Sequence, residues 1–161
     1  MYSALVPDDD LVLLLQACNA AFGDRVLAAT RTRAGAKVRY NDGYVFQHLV
    51  PGPLSVSELA RRLGVSQQAA SQQVADLERR DLVRRRPDPG DARSRPVELT
   101  RRAWRAVEAA RAERQAIDDE IAALLGPTRS RQLRRSLTEV SDRTGALAAL
   151  QARRLRPEAE R

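Results

Sequence analysis

Apolar residues recur at helical spacing over most of the chain and alternate with polar ones only briefly. From about Asp8 to Ala34, the set Leu11, Leu14, Leu15, Cys18, Phe22, Val26 and Ala29 returns every three or four residues. This predicts a first helix with one broad apolar stripe that must be covered. Asp8, Asp9 and Asp10 suit its positive N-terminal end, and Gly35 suits its stop. Gly23 interrupts the stripe at about 1 kcal/mol, for no reason readable in the sequence. A short second helix, capped by Asn41 or Asp42, carries Tyr44, Val45, His48 and Leu49 until Pro51-Gly52-Pro53 breaks the chain.

Ser55 followed three residues later by Glu58 has the form of a capping box and opens a helix through Leu63. Gly64 ends that helix, and Ser66 caps another running to about Arg80. Two helices joined this tightly predict a helix-turn-helix, with Leu59, Ala60, Leu63, Val65, Ala70, Val74 and Leu77 inward. Leu82-Val83 leads into Arg84-Arg85-Arg86, and Val97 and Leu99 alternate with polar neighbours after a Pro-Gly loop. That pattern predicts a two-stranded hairpin with arginines at its tip. Thr100 caps a long helix to Gly126-Pro127, and a last helix from Thr128 to about Ala152 sets Leu133, Leu137, Val140, Thr144, Leu147 and Leu150 along one seam. The fold class is mainly α. Its centre, about 40–100, is a winged helix-turn-helix lobe with a two-stranded β-wing, and about 8–38 and 101–152 are terminal dimerisation helices. With 161 residues, one domain spans 1–161.

Charge sharpens this picture at one place. The chain has 28 basic and 21 acidic residues, and Lys37 is the sole lysine. Between Arg79 and Arg105, ten arginines face four acidic residues, a local positive patch suited to a polyanion or simply to solvent. Arginine forks match phosphates and guanine edges. The lone Cys18 excludes an intramolecular disulfide. The first residues lack the pattern of a signal peptide, and the longest aliphatic run, Leu11 to Leu15, falls far short of the roughly 20 residues that span a bilayer. The expected location is therefore the cytoplasm, with no membrane partner.

Candidate chemistry is that of a binding protein, not an enzyme. His48 is the only histidine, and no Cys, His and carboxylate cluster has metal spacing. Neither a phosphate-cradling Gly-rich loop nor a nucleophile-base pair is present, so no catalytic residue, cofactor or metal is expected. Gln67, Gln68, Ser71 and Gln72 lie opposite the inward Ala70, Val74 and Leu77, where they suit base edges in a major groove, or form an ordinary polar face. Arg84, Arg85 and Arg86 suit phosphates or solvent, while Arg93 and Arg95 at the hairpin tip suit a narrow minor groove. Double-stranded DNA is the expected partner, and the terminal stripes require a homodimer.

The stretch Ser57 to Thr100 resembles the MarR family of transcriptional regulators. It holds Ser-Glu-Leu-Ala-Arg-Arg-Leu-Gly-Val-Ser, Val-Ala-Asp-Leu-Glu-Arg-Arg-Asp-Leu-Val, Asp-Pro-Gly-Asp-Ala-Arg and Val-Glu-Leu-Thr. The resemblance implies a triangular homodimer, a palindromic operator, and Asp91 orienting a basic side chain of the wing. Two positions depart from the pattern: Asp81 replaces a usual glycine, and Gln72 a frequent basic residue. It also implies a small phenolic or lipophilic effector between the lobes, where Tyr40, Tyr44, Phe46, His48 and Trp104 line a pocket or pack the core. One MarR subgroup senses peroxides through a first-helix cysteine held by tyrosines. Cys18 is on that helix, but its apolar neighbours predict a packed, unreactive thiol.

The function expected is a sequence-specific bacterial regulator, by family default a repressor released by an effector and associated with the nucleoid. Its rivals are a peroxide sensor acting through Cys18, a nucleoid-type protein that coats DNA without an operator, and a protein-binding adaptor.

Overall fold

The computed structural model describes residues 10–35, 38–87 and 95–152. In chain order the elements are α1 (Leu11–Ala34), α2 (Asp42–Leu49), α3 (Val56–Leu63), α4 (Gln67–Arg79), β1 (Val83–Arg85), β2 (Val97–Leu99), α5 (Arg101–Thr144) and α6 (Ala146–Ala152). The mainly helical chain with a two-stranded antiparallel sheet is the winged-helix arrangement anticipated.

Local chemistry explains most of the boundaries. Asp10 caps α1, its Oδ1 accepting from the backbone N–H groups of Val12 and Leu13 at 2.9 and 3.1 Å. Gly35 closes the helix in the left-handed region at φ 58°. The start of α2 differs from expectation. Asn41 makes no side-chain capping bond, and the Asp42 carboxylate is buried and turned elsewhere, accepting from Arg39 N–H at 2.7 Å and from Arg80. A buried acid with arginine partners is held by charge, so it is not available as a cap.

The core lies where α2, α3, α4 and the sheet meet the first turns of α5. Leu59, Leu63, Val74, Leu77, Leu82 and Val97 are all fully buried there. Each such side chain contributes about 1.5 to 3 kcal/mol through removal from water. The sheet pairs Val83 with Leu99, Arg84 with Glu98 and Arg85 with Val97. Leu54 adds an unexpected bridge, exchanging backbone hydrogen bonds with Val97 at 3.0 and 2.7 Å. A single extended residue between Pro53 and Ser55 carries no period by which sequence reading finds it.

Thr100 joins sheet to helix. Its Oγ1 accepts from Ala103 N–H at 3.2 Å and donates to the Asp81 carbonyl at 2.8 Å. α5 then runs 44 residues with one non-helical position, Gly126 at φ 76° and ψ 164° before Pro127. Pro removes a helical N–H and disfavours helix in the residue before it, so the expected break falls there. The expected single helix from Thr128 to Ala152 is corrected: Gly145, at φ 69°, ends α5, and α6 follows separately. The apolar seam continues across Gly145 and so conceals the stop.

α1 docks on α5 through its C-terminal half. Arg25 reaches both Glu113, at 2.9 Å, and Glu120, at 2.6 and 2.8 Å, and Leu27, Thr30 and Ala34 turn inward. The N-terminal half is uncovered, with Leu11 65% exposed and Leu14 and Leu15 also in solvent. Among the described residues α1 is the one helix long and apolar enough, by length and composition, to cross a bilayer, its best window having mean hydropathy 1.4. Counting contiguous aliphatic residues did not anticipate that. Leu133, Leu137 and Val140 on the distal half of α5 are likewise exposed.

Candidate nucleic-acid interface

The helix-turn-helix is fixed by two caps and one glycine. Ser55 Oγ accepts from Glu58 N–H, and Ser66 Oγ from Ala69 N–H, both at 3.1 Å. Between them Gly64 adopts φ 69° and ψ 32°, and the next N–H, of Val65, donates to the Ala60 carbonyl at 3.1 Å. A residue with Cβ would be strained at Gly64, and without that turn α4 would not cross α3. Glu58 does not complete a reciprocal capping box. Its carboxylate accepts from Arg61 at 2.8 and 2.7 Å and from Arg62 at 2.7 Å, and these hydrogen bonds hold it at a pKa of about 2 against the ordinary 4.5.

α4 presents two chemically opposite faces. Ala70, Val74 and Leu77 have no exposed surface, whereas Gln67, Gln68 and Gln72 are exposed and Ser71 is half-buried. The four sequence-predicted reading residues therefore share the outward face. Beside them Arg84, Arg85 and Arg86 are exposed, but none is a bare cation. Arg84 bonds Glu98 at 2.7 Å, Arg86 lies 3.9 Å from the same carboxylate, and Arg85 lies 3.4 Å from Glu78. Such exposed pairs are weak, so a phosphate can replace the carboxylate at little cost. Arg95 is exposed just before β2. Arg93 and Asp91 lie outside the described residues.

Sequence reading missed the charge cluster at the C-terminal end of α4. Arg80 grips Asp42 with two bonds of 2.6 and 2.9 Å and Asp76 with one of 2.7 Å, while Arg39 bonds Asp76 at 3.0 Å. Hydrogen bonding to Asp42 raises the Arg80 pKa above its ordinary value despite burial. Burial opposes ionisation of Asp76, but the bond from Arg80 and the charges of Arg80, Arg39 and Arg79 outweigh it and leave its carboxyl below the ordinary value. No periodicity marks these residues; only the fold brings positions 39, 42, 76 and 80 together.

A cleft of about 690 Å³ opens between α1, α2 and α5. Phe22, Val26 and Leu27 form one wall, Tyr40, Tyr44 and Phe46 another, and Ile117 and Ile121 the third, with Arg39, Arg111 and Arg114 among the polar lining. Of the five residues expected at a pocket, His48 and Trp104 are absent from it. Trp104 packs instead against the buried core, which the registers of α2 and α5 dictate. Cys18 is a free, exposed thiol, so the expected packing against apolar neighbours is not met within one chain. Asn19 and Phe22 line the cleft, but Cys18 does not. No group of three or more metal-binding side chains occurs among the described residues.

Residues 42–94 match the family model described as the MarR family. No curated protein matches the sequence. Solved structures do. YusO from Bacillus subtilis is 25% identical over 83% of this chain and 93% of its own, with a TM-score of 0.65. The central lobe of the chain, residues 42–94, is thus similar to the MarR family. MepR of S. aureus, solved as a complex with DNA, is 20% identical over 83% of this chain and 97% of that one, TM-score 0.64. MepR bound to ethidium bromide is 18% identical over 83% and 96%, TM-score 0.63. At these identities MepR supports the fold.

One departure from the MarR pattern now has a geometry. Asp81 is the only non-glycine among the described residues with positive φ, at 57°. It sits between α4 and β1, where Leu82 N–H turns back to the Leu77 carbonyl at 2.9 Å. Aspartate tolerates this left-handed turn better than most side chains, though less well than glycine. Its carboxylate lies 3.5 Å from Arg102 of α5. The other departure, Gln72, leaves the N-terminal part of the outward face of α4, Gln67 to Gln72, uncharged.

Proposed function

We propose that this chain is a MarR-type, sequence-selective, DNA-binding transcription regulator acting as a homodimer on a palindromic operator. The carrying observation is the division of α4: a face locked into the core by Ala70, Val74 and Leu77, opposite a face of Gln67, Gln68, Ser71 and Gln72. A helix so anchored presents glutamines in fixed positions, and glutamine bonds bidentately to adenine edges. Arg84, Arg85 and Arg86 then hold phosphates that set register, and Arg93 and Arg95, with Asp91 orienting the wing, enter the minor groove. The DNA complex of MepR supports this assignment by fold.

The dimer forms through the exposed stripes of α1 and distal α5, placing two α4 helices about 34 to 36 Å apart, one DNA turn. The whole chain, 1–161, works as one domain, and its place is the bacterial cytoplasm at the nucleoid. An apolar or aromatic effector enters the cleft beside Tyr40 and Tyr44 and releases the operator, which makes the chain a repressor; the ethidium complex of MepR supports a ligand in this fold.

The test is selection of duplexes from a random pool by purified protein, followed by titration of the selected and a random duplex at several salt concentrations. A regulator prefers its selected site by roughly 10³ or more, and Gln72→Ala relaxes preference at one position of each half-site. Equal affinities identify a coating protein, and absence of salt-dependent binding identifies an adaptor.

A further inference from the structure

The cleft and the recognition helix share one short turn. On one side of residues 39–43, Tyr40 and Gly43 line the cleft. On the other, Asp42 is 5% exposed at its side chain and takes a two-bond fork from Arg80, itself 13% exposed, at the end of α4. The turn is closed on itself by Arg39 N–H to Asp42 Oδ2, at 2.7 Å, and Asp42 N–H to the Arg39 carbonyl, at 3.1 Å. Arg39 also reaches across to Asp76 of α4.

We propose that Asp42 and Arg80 are positioning residues that transmit occupancy of the cleft to α4. This inference rests on the cleft as effector site and α4 as DNA reader. The physical ground is the asymmetry of a buried ion pair. Its net contribution to stability is small, yet separating its partners leaves uncompensated charge in a low-dielectric setting, so the two ends move together. Displacing Tyr40 therefore moves the 39–42 turn, and the turn carries the C-terminal end of α4 with it. Gly23 gains a reason here. A Cβ at that position would stand 3.5 Å from Tyr40 Cε2, ordinary contact for alanine, whereas a longer side chain has to push the ring.

That geometry supplies a built-in occupant for the test. Gly23→Leu fills the cleft beside Tyr40, and Gly23→Ala is the control that fits. Full-length variants, checked for helicity and for oligomeric state, are titrated with the duplex selected by wild-type protein. Gly23→Leu is expected to weaken binding about tenfold, the size of an ordinary coupling between sites, and Gly23→Ala to leave it unchanged. In an Arg80→Met background the same leucine is expected to have less than about a twofold effect, because the link is already cut. The salt dependence of Arg80→Met matches wild type, since Arg80 is not a phosphate contact. Should Arg80→Met fail to fold, the isosteric Asp42→Asn takes its place.

Hydrogen exchange without DNA gives the second measurement. Gly23→Leu raises exchange at the amides of residues 74–80 in the wild-type background only. Equal weakening in both backgrounds, or unchanged exchange in α4, overturns the link. If wild-type protein selects no duplex, the regulator reading fails while the exchange experiment still decides this one.

Discussion

The central lobe and the terminal helices were built from the same kind of sequence pattern, yet one chain satisfies only the first. In α3 and α4 the apolar positions Leu59, Leu63, Val74 and Leu77 are fully buried, and the turn, caps and hairpin agree with them. In α1 and distal α5 the positions Leu11, Leu14, Leu15, Leu133, Leu137 and Val140 recur just as regularly and stand in solvent. The difference teaches that helical period reports a face to be covered, not what covers it. A lobe of about 60 residues supplies its own cover through short connections. Helices as long as α5 outrun the lobe, and their stripes need a second surface.

The sharpest contrast comes from truncating one residue in each region. Leu77→Ala removes a fully buried side chain and is expected to destabilise the fold by about 2 to 5 kcal/mol, measured by denaturant unfolding. Leu15→Ala, at a site 40% exposed in the chain, is expected to leave intrachain stability unchanged and to act only through protein concentration. A concentration-independent loss at Leu15 would erase the distinction.

Next in size is Leu137→Glu. Charge in the exposed stripe of α5 is expected to shift a dimer toward monomer in light scattering while circular dichroism is preserved, and to weaken DNA binding in parallel. Unaltered assembly would show that this stripe is covered by something other than a second copy.

Within the lobe, Asp81→Gly relieves a left-handed aspartate and gives up only a partly exposed 3.5 Å pair with Arg102. The expected gain is somewhat under 1 kcal/mol, or about 2 °C in Tm. A lower Tm would mean that the pair to α5 outweighs the backbone strain. Smallest of all is Cys18→Ser, expected to leave DNA binding and its response to organic hydroperoxide unchanged, since Cys18 is not among the residues that line the cleft with Tyr40 and Tyr44. Loss of a wild-type peroxide response in this variant would make the thiol a sensor.

Sequence reading recovered the lobe well because its signals are local: Ser55, Ser66 and Thr100 each bond an N–H three residues on, and Gly64 takes the conformation only glycine adopts freely. The outward face of α4 follows from the same period. What escaped was set by tertiary contact. Asp42, one of two residues offered as a helix cap beside Asn41, is instead consumed by Arg80, 38 residues away. Gly23 was unexplained until Tyr40 came to lie beside it, and Trp104 was offered to a cleft that its register turns it from. Gly145 was overlooked because the leucine spacing runs through it.

The central claim is that terminal helices join two reading lobes at a fixed separation, and a spacing experiment tests it most directly. In the selected palindrome, about five base pairs, half a helical turn, are inserted between the half-sites, and affinity is compared with the parent and with a random duplex. A rigid dimer cannot place both α4 helices in the major groove of the altered site, so binding is expected to fall close to the random level. Affinity undiminished by the insertion would mean that each lobe binds alone, and would contradict the account.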